Sequence, residues 1–143
     1  MLRIYFMRHG ETVWNTERRY QGMTDIELSA EGLRQADIAA ERFKGIDIDK
    51  IFCSPLKRAA ATAKPIADEK GLDVIYEDAF REICFGEWEG KTVPELTEKY
   101  GADYINFIRE PHKYGFPGEG SIDRVMDRIK PAIDRMIAEE DGN

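Results

Sequence analysis

Between Leu2 and Tyr76 the sequence alternates short apolar runs with longer segments of helical periodicity, and this alternation decides the fold class. The first run, Leu2-Arg3-Ile4-Tyr5-Phe6-Met7, is broken only by Arg3. Continuous hydrophobicity predicts a strand covered on both faces, as in parallel sheets. Ser29 reads as an N-cap, with Leu33, Ala36, Ala40 and Phe43 on one helical face and Gly45 as the stop. Lys50 to Cys53 reads as a second strand. Ser54-Pro55 predicts a helix start, a capping hydroxyl followed by proline at the first helical position. In that helix Leu56, Ala59, Ala60, Ala63, Ile66 and Ala67 face inward, Pro65 bends it and Gly71 closes it. Asp73 to Tyr76 is the third predicted strand. Strand, helix, strand, helix, strand implies a parallel sheet with helices on its faces.

After Tyr76 the chain turns irregular, through Glu82 and Phe85-Gly86-Glu87-Trp88-Glu89-Gly90. Short helices are expected near Val93 to Tyr100 and Tyr104 to Glu110, then a turn-rich loop from Pro111 to Gly120. Ser121 caps a last helix, whose inner face is Ile122, Val125, Ile129, Ile133, Met136 and Ile137, with a kink expected at Pro131. The acidic Glu139-Glu140-Asp141 opposes the dipole at that helix end and predicts a frayed surface terminus. In an alternating chain a strand should come next, and the sequence stops at Asn143 instead. The expectation is one α/β domain over residues 1–143, three-layer α/β/α with a mostly parallel sheet, lacking its last strand.

The formal net charge is −7, which argues against nucleic-acid and membrane-surface partners, since both attract basic patches. A local cluster of arginines can still reverse the field inside a cleft. No run of about 18 apolar residues is present, so no membrane-spanning helix is expected. The N-terminal apolar run is too short for a secretory signal. Cys53 and Cys84 lack metal-ligand spacing and read as reduced packing thiols of a cytoplasmic protein.

Three groups fall at equivalent places in this pattern. Arg8-His9 follows the first strand, Arg58 lies in the first turn of the helix after the second, and Glu82 comes just after the third. Carboxyl ends of parallel strands line one edge, so these groups can meet in one crevice. Phosphoryl transfer suits the set. Arg8 and Arg58 can grip ester oxygens with bidentate forks, and a helix N-terminus adds backbone donors. Neutral His9 can attack phosphorus and carry the phosphoryl group. Glu82, if buried, can protonate the departing alcohol and later deprotonate water. The arginines neutralise charge, so no metal or cofactor is required. Residues 9–28 form a loop whose length is itself usually functional, carrying Trp14, Asn15, Arg18, Arg19, Gln21 and Gly22. Arg18 and Arg19 either steer anions or are simply exposed charges. Trp14, Phe85 and Trp88 read as anchors of loops to the core.

Arg8-His9-Gly10-Glu11-Thr12-Val13-Trp14-Asn15 resembles the signature of the histidine phosphatase superfamily, in its phosphoglycerate mutase-like branch. The likeness continues through Gln21-Gly22, Asp25, Leu28-Ser29, Gly32 and Gln35-Ala36. It resumes at Ser54 to Ala59 with Thr62, at Arg81-Glu82, at Phe85-Gly86 with Trp88-Glu89-Gly90, and at Pro117-Gly118-Glu119. The resemblance implies a three-layer fold and a phosphohistidine at His9. Arg8 and Arg58 would hold the phosphate, with Glu82 as proton donor. Gly10, Asn15, Gln21 and Gly22 would line the phosphate and substrate entrance. It further implies a second histidine on a late strand ending in Ser-His-Gly, which these residues do not contain; His112 matches no family position and reads as a solvated loop residue.

Missing one transition-state donor would cost about 10²–10³ in kcat, and a missing interior strand would leave an open edge. Three outcomes follow: a truncated gene product, a swapped or tightly paired homodimer, or a form of low activity. The expected function is a metal-independent phosphomonoesterase acting on a small phosphorylated metabolite. Phosphoglycerate mutase-type transfer and a non-catalytic phosphate-binding module are the alternatives.

Overall fold

The computed structural model describes residues 2–113 and 120–140. Six α-helices and two strands are formed among them: α1 (Val13–Thr16), α2 (Ala30–Phe43), β1 (Ile51–Cys53), α3 (Lys57–Lys70), β2 (Val74–Tyr76), α4 (Val93–Tyr100), α5 (Ala102–Arg109) and α6 (Ile122–Glu140). Single 3₁₀ turns lie at Asp78–Phe80 and Gly86–Trp88. β1 and β2 pair in parallel, Ile51 with Val74 and Cys53 with Tyr76, joined by the α3 crossover. This is the expected α/β arrangement, with the sheet reduced to two strands.

The expected first strand does not form. Residues 2–8 are exposed, Phe6 at 81 %. A strand exists only through its ladder, and among the described residues nothing pairs with Leu2 to Met7. Apolar composition states a demand for cover but does not supply the neighbour. Within the run, the Tyr5 ring lies edge-on to Phe43 at 5.8 Å.

Ser29 caps α2 as expected, its hydroxyl accepting from the Gly32 amide at 3.1 Å. The buried stripe, however, is Gly32, Ala36 and Ala40, while Leu33 is exposed. The cause is close approach. A Cβ on Gly32 would lie 1.9 Å from the Glu11 carbonyl oxygen, and one on Gly10 would lie 2.6 Å from that of Gly32. The 9–12 segment therefore lies directly on the first turn of α2, and Leu33 is turned outward. Gly32→Ala should gain about 1 kcal/mol in helix propensity but lose about 1–3 kcal/mol to overpacking against backbone. A urea midpoint below that of the parent is expected; a midpoint above it would refute the close approach.

α3 begins later than Ser54-Pro55 suggests. Leu56 occupies the N-cap position without a side-chain cap of its own. The Lys57 amide is instead capped from a distance, donating to Asp25 Oδ1 at 2.7 Å. Ser54 Oγ accepts only from Leu56 N, at 3.4 Å. Inward residues Leu56, Ala63, Ile66 and Ala67 are buried, Pro65 sits within the helix, and Gly71 closes it in the left-handed region.

Residues 9–28 are not without structure. α1 is held by a capping box between Thr12 and Asn15, and isolated bridges join Thr12 to Leu28 and Arg19 to Thr92. The second half gathers on an aromatic core of Ile83, Trp88, Leu96, Tyr104 and Phe107, with Tyr20, Phe85, Tyr100, Ile122 and Val125 at its edge. α4 and α5 fall where periodicity predicts them, and Ser121 Oγ accepts from the Arg124 amide at the head of α6. The expected inner face of α6 is half-buried, and Ala132 is its one buried residue among those described. α6 is fastened to the α/β half by Arg128 to the carbonyls of Ala79 and Glu82, by Arg135 to Glu77, and by Lys50 to Glu140. Glu140 is thus tied down where fraying is expected from charge alone; Asp141 and most of the 111–120 loop, with Pro117-Gly118-Glu119, lie outside the described residues.

Candidate active site

The end of the N-terminal run and the first turn of α3 are joined by one threonine. Thr62 lies one turn after Arg58 and is buried. Its hydroxyl donates to the Arg58 carbonyl at 2.7 Å and accepts from the Gly10 amide at 2.9 Å. This fixes the backbone beside His9 to the helix that carries Arg58. Glu11 completes the attachment on the other side, its carboxylate accepting from Ser29 Oγ and its amide donating to Gln35.

His9 is half-buried, and its Nδ1 lies 2.7 Å from the Gly10 carbonyl oxygen. A carbonyl can only accept, so Nδ1 carries the proton and, in the neutral ring, Nε2 carries the lone pair. Burial lowers the His9 pKa from 6.5, with the Gly10 hydrogen bond opposing it; the charges of Arg58 and Arg8 lower it further, and that of Glu82 raises it. The charges of Arg8, Arg58 and Glu82 thus all bear on His9, although no strand leads into Arg8-His9.

Arg58 departs from the usual surface arginine. It is 2 % exposed, and its fork donates to the Gly22 carbonyl at 2.6 Å and the Thr24 carbonyl at 2.9 Å. Burial lowers its pKa, against the opposing charges of Glu82, Asp25 and Glu89. Arg8 and Glu82 are exposed, so the expectation of a buried Glu82 is not met. The Glu82 carboxylate accepts from the Ile83 amide, and its carbonyl accepts from Arg128.

Asn15 and Gln21 hold the loop: Asn15 Oδ1 accepts from the Thr12 amide and hydroxyl, and Gln21 Oε1 lies 2.7 Å from that hydroxyl. Thr12 is fully buried. Trp14 lies against Gly90, with 3.2 Å from its ring to a Cβ there, and Trp88 is in the aromatic core. Both act as anchors, as expected. Cys53 is buried with its thiol pushed up to about 11, and Cys84 is half-buried; both are free. His112 is exposed. Among the described residues no three His, Cys, Asp or Glu side chains are grouped to hold a metal ion.

Sequence reasoning assigns no role to Asp25, Thr62 or Glu89, each of which shapes the site. Their partners lie 32, 52 and up to 66 residues away, beyond any local pattern.

The description of the histidine phosphatase superfamily (branch 1) matches residues 4–143. The chain belongs to that family. Phosphoserine phosphatase 1 of Hydrogenobacter thermophilus is 40% identical over 136 residues, 95% of this chain and 64% of the relative. A Salmonella choleraesuis protein named "Probable phosphoglycerate mutase GpmB" is 35% identical over 133 residues, 93% of this chain and 62% of the relative. The structure of a mycobacterial glucosyl-3-phosphoglycerate phosphatase in complex with VO3 superposes with a TM-score of 0.87 at 32% identity, covering 92% of this chain and 63% of that one. The chain thus spans a little under two thirds of these histidine phosphatase relatives. Among its described residues, no helix is long and apolar enough to cross a membrane.

Proposed function

We propose that this chain carries the reacting groups of a metal-independent phosphomonoesterase that works through a phosphohistidine at His9. One observation carries the reading. The His9 ring is held by Nδ1–H to the Gly10 carbonyl, with burial and the charges of Arg58 and Arg8 favouring its neutral form. Such a ring is a nucleophile at Nε2 near neutral pH.

A phosphate ester enters against Arg8 and Arg58. Two of the five N–H groups of Arg58 serve the Gly22 and Thr24 carbonyls, and the remainder serve ester oxygens. The Nε2 lone pair forms the N–P bond as the P–O bond to the alcohol breaks. Glu82 gives the proton to the leaving alkoxide. A water molecule then attacks the phosphohistidine, passing its proton to Glu82 as the N–P bond breaks and inorganic phosphate forms. Asn15, Gln21, Gly10 and Gly22 shape the entrance by fixing the loop backbone. A small phosphorylated metabolite, free of any nucleic-acid or membrane partner, is the substrate class. Relatives named for phosphoserine, glucosyl-3-phosphoglycerate and α-ribazole phosphate support hydrolysis of such compounds.

Phosphoryl transfer without release is the second reading, favoured by the phosphoglycerate mutase name among relatives at 35% identity. Incubation with O-phosphoserine, 3-phosphoglycerate and p-nitrophenyl phosphate, followed by ³¹P NMR, separates the two. Inorganic phosphate from any of them is the expected result. Isomerised 2-phosphoglycerate without phosphate release would overturn it in favour of transfer. Orthophosphate binding with no turnover would mark a binding module.

A further inference from the structure

We infer that Glu89 is a positioning residue for Arg58, acting through the Gly22–Thr24 backbone that both side chains grip from opposite sides. The inference rests on the phosphatase reading for its effect on phosphate binding. Glu89 belongs to the Trp88-Glu89-Gly90 motif, for which neither sequence nor mechanism supplies a task.

The half-buried Glu89 carboxylate collects four donors. Oε1 accepts from the Met23 amide at 3.0 Å and the Phe85 amide at 3.0 Å. Oε2 accepts from the Thr24 amide at 2.9 Å and from the Thr24 hydroxyl. The same loop supplies its carbonyls at 22 and 24 to the Arg58 fork. The amides of this short stretch thus face an anion and its carbonyls face a cation. Gly22 makes the arrangement possible. Its φ is +56°, and a Cβ there would lie 2.1 Å from Glu89 Oε1, an oxygen already held by two amides.

A planar guanidinium bonded to two carbonyls is oriented only as well as those carbonyls are. The carbonyls belong to a loop without a helix or strand of its own. It is held internally only by the turn bonds Thr24 N–H to the Gln21 carbonyl and Ile26 N–H to the Thr24 carbonyl, each 3.1 Å, so its amide side is fixed to the rest of the fold from outside. Glu89 does this with both oxygens, and its charge also bears on Arg58. Glutamine cannot replace it. Its NH₂ group would face either the amides of Met23 and Phe85 or the donors of Thr24, so one pair loses its acceptor.

The test uses Glu89→Gln, Thr24→Val and Arg58→Lys in the full 143-residue chain. In ligand-free protein, the Arg58 Nη–H resonances, which belong to the groups donating to Gly22 and Thr24, should be sharp and protected from exchange in the parent, and broadened in Glu89→Gln. An ångström-scale loss of positioning costs up to about 100-fold, so orthophosphate Kd and KM for p-nitrophenyl phosphate should rise about tenfold or more. Thr24→Val, which removes one donor and disturbs folding least, should move both in the same direction by a few-fold. In an Arg58→Lys background, adding Glu89→Gln should change Kd by less than about twofold, because the group it positions is gone. An unchanged Arg58 resonance in Glu89→Gln overturns the inference. So does an equal loss of phosphate affinity in both backgrounds, which is what a merely structural role gives. If the parent shows the protected resonance but neither binds orthophosphate nor releases phosphate, the phosphatase reading falls while the positioning contact stands.

Discussion

His9→Asn should leave no acid-labile phosphate on the protein after incubation with p-nitrophenyl phosphate, where the parent is expected to accumulate it. Asparagine is the informative substitution because its side-chain amide can still donate to the Gly10 carbonyl, as Nδ1–H does at 2.7 Å. The loop is then preserved and only the Nε2 lone pair is lost. Removal of a covalent nucleophile costs about 10³–10⁶ in turnover, so residual hydrolysis should lie near background. Stability should change little, since the ring is half-buried and its one hydrogen bond is replaced. The pH dependence in the parent has a fixed sign. Burial lowers the His9 pKa from 6.5, so the neutral nucleophile persists to more acid pH than a free imidazole would allow. The rate of labelling should therefore fall on the acid side with a midpoint below 6.5. The same shift makes the unfolded chain bind the proton more readily, so folding stability declines as pH falls through 6.5 toward the lowered folded-state value. Labelling that survives His9→Asn, or an acid midpoint above 6.5, removes His9 from the nucleophile's place.

Legible in the sequence are the candidate groups and, for Arg58 and Glu82, the crossover unit they follow, but not the setting of Arg8-His9. An arginine in the first turn after a strand and a glutamate after the next strand follow from one crossover connection, which leaves both strand ends on one edge. Arg8-His9 follows no strand and is tied to the same helix by the Gly10 amide donating to Thr62. What was not legible was how each group is held. The cap on α3 comes from Asp25, not from Ser54 beside it, and Arg58 is fixed by carbonyls of Gly22 and Thr24. These contacts span more than 30 residues and obey the tertiary fold alone. The Leu2–Met7 run fails for a related reason. Periodicity reports that a segment needs cover on both faces, but a strand is a property of a pair. Leu33 shows the same limit in a helix, where the glycine one residue earlier faces inward because backbone, not a side chain, must fit there.

Arg58→Ala should lower stability and phosphate affinity together, and Arg58→Lys should separate the two. The guanidinium is a buried cation, and burying a charge costs several kcal/mol unless its donors are used and counter-charges are near. Here two carbonyls take its N–H groups, and the charges of Glu82, Asp25 and Glu89 favour its charged form. Alanine leaves the Gly22 carbonyl without its Arg58 donor and the Thr24 carbonyl with the Ile26 amide alone, at about 1–3 kcal/mol for the orphaned group, and removes a buried side chain. Loop carbonyls can recover water, so a net loss of about 2–4 kcal/mol is expected, a fall in Tm of roughly 10 °C. Lysine keeps the charge and fills most of the volume, but a single ammonium cannot span two carbonyls and an ester as a planar fork does. Its stability should fall by less than half as much as that of alanine, while orthophosphate affinity should drop about as far. This ordering follows from what Arg58 supplies: the charge balances the carboxylates and serves folding, whereas the fork's geometry serves the ligand. Equal phosphate binding by parent and Arg58→Lys would mean that charge alone holds the anion, and the bidentate grip at the centre of the proposed chemistry would have to be abandoned.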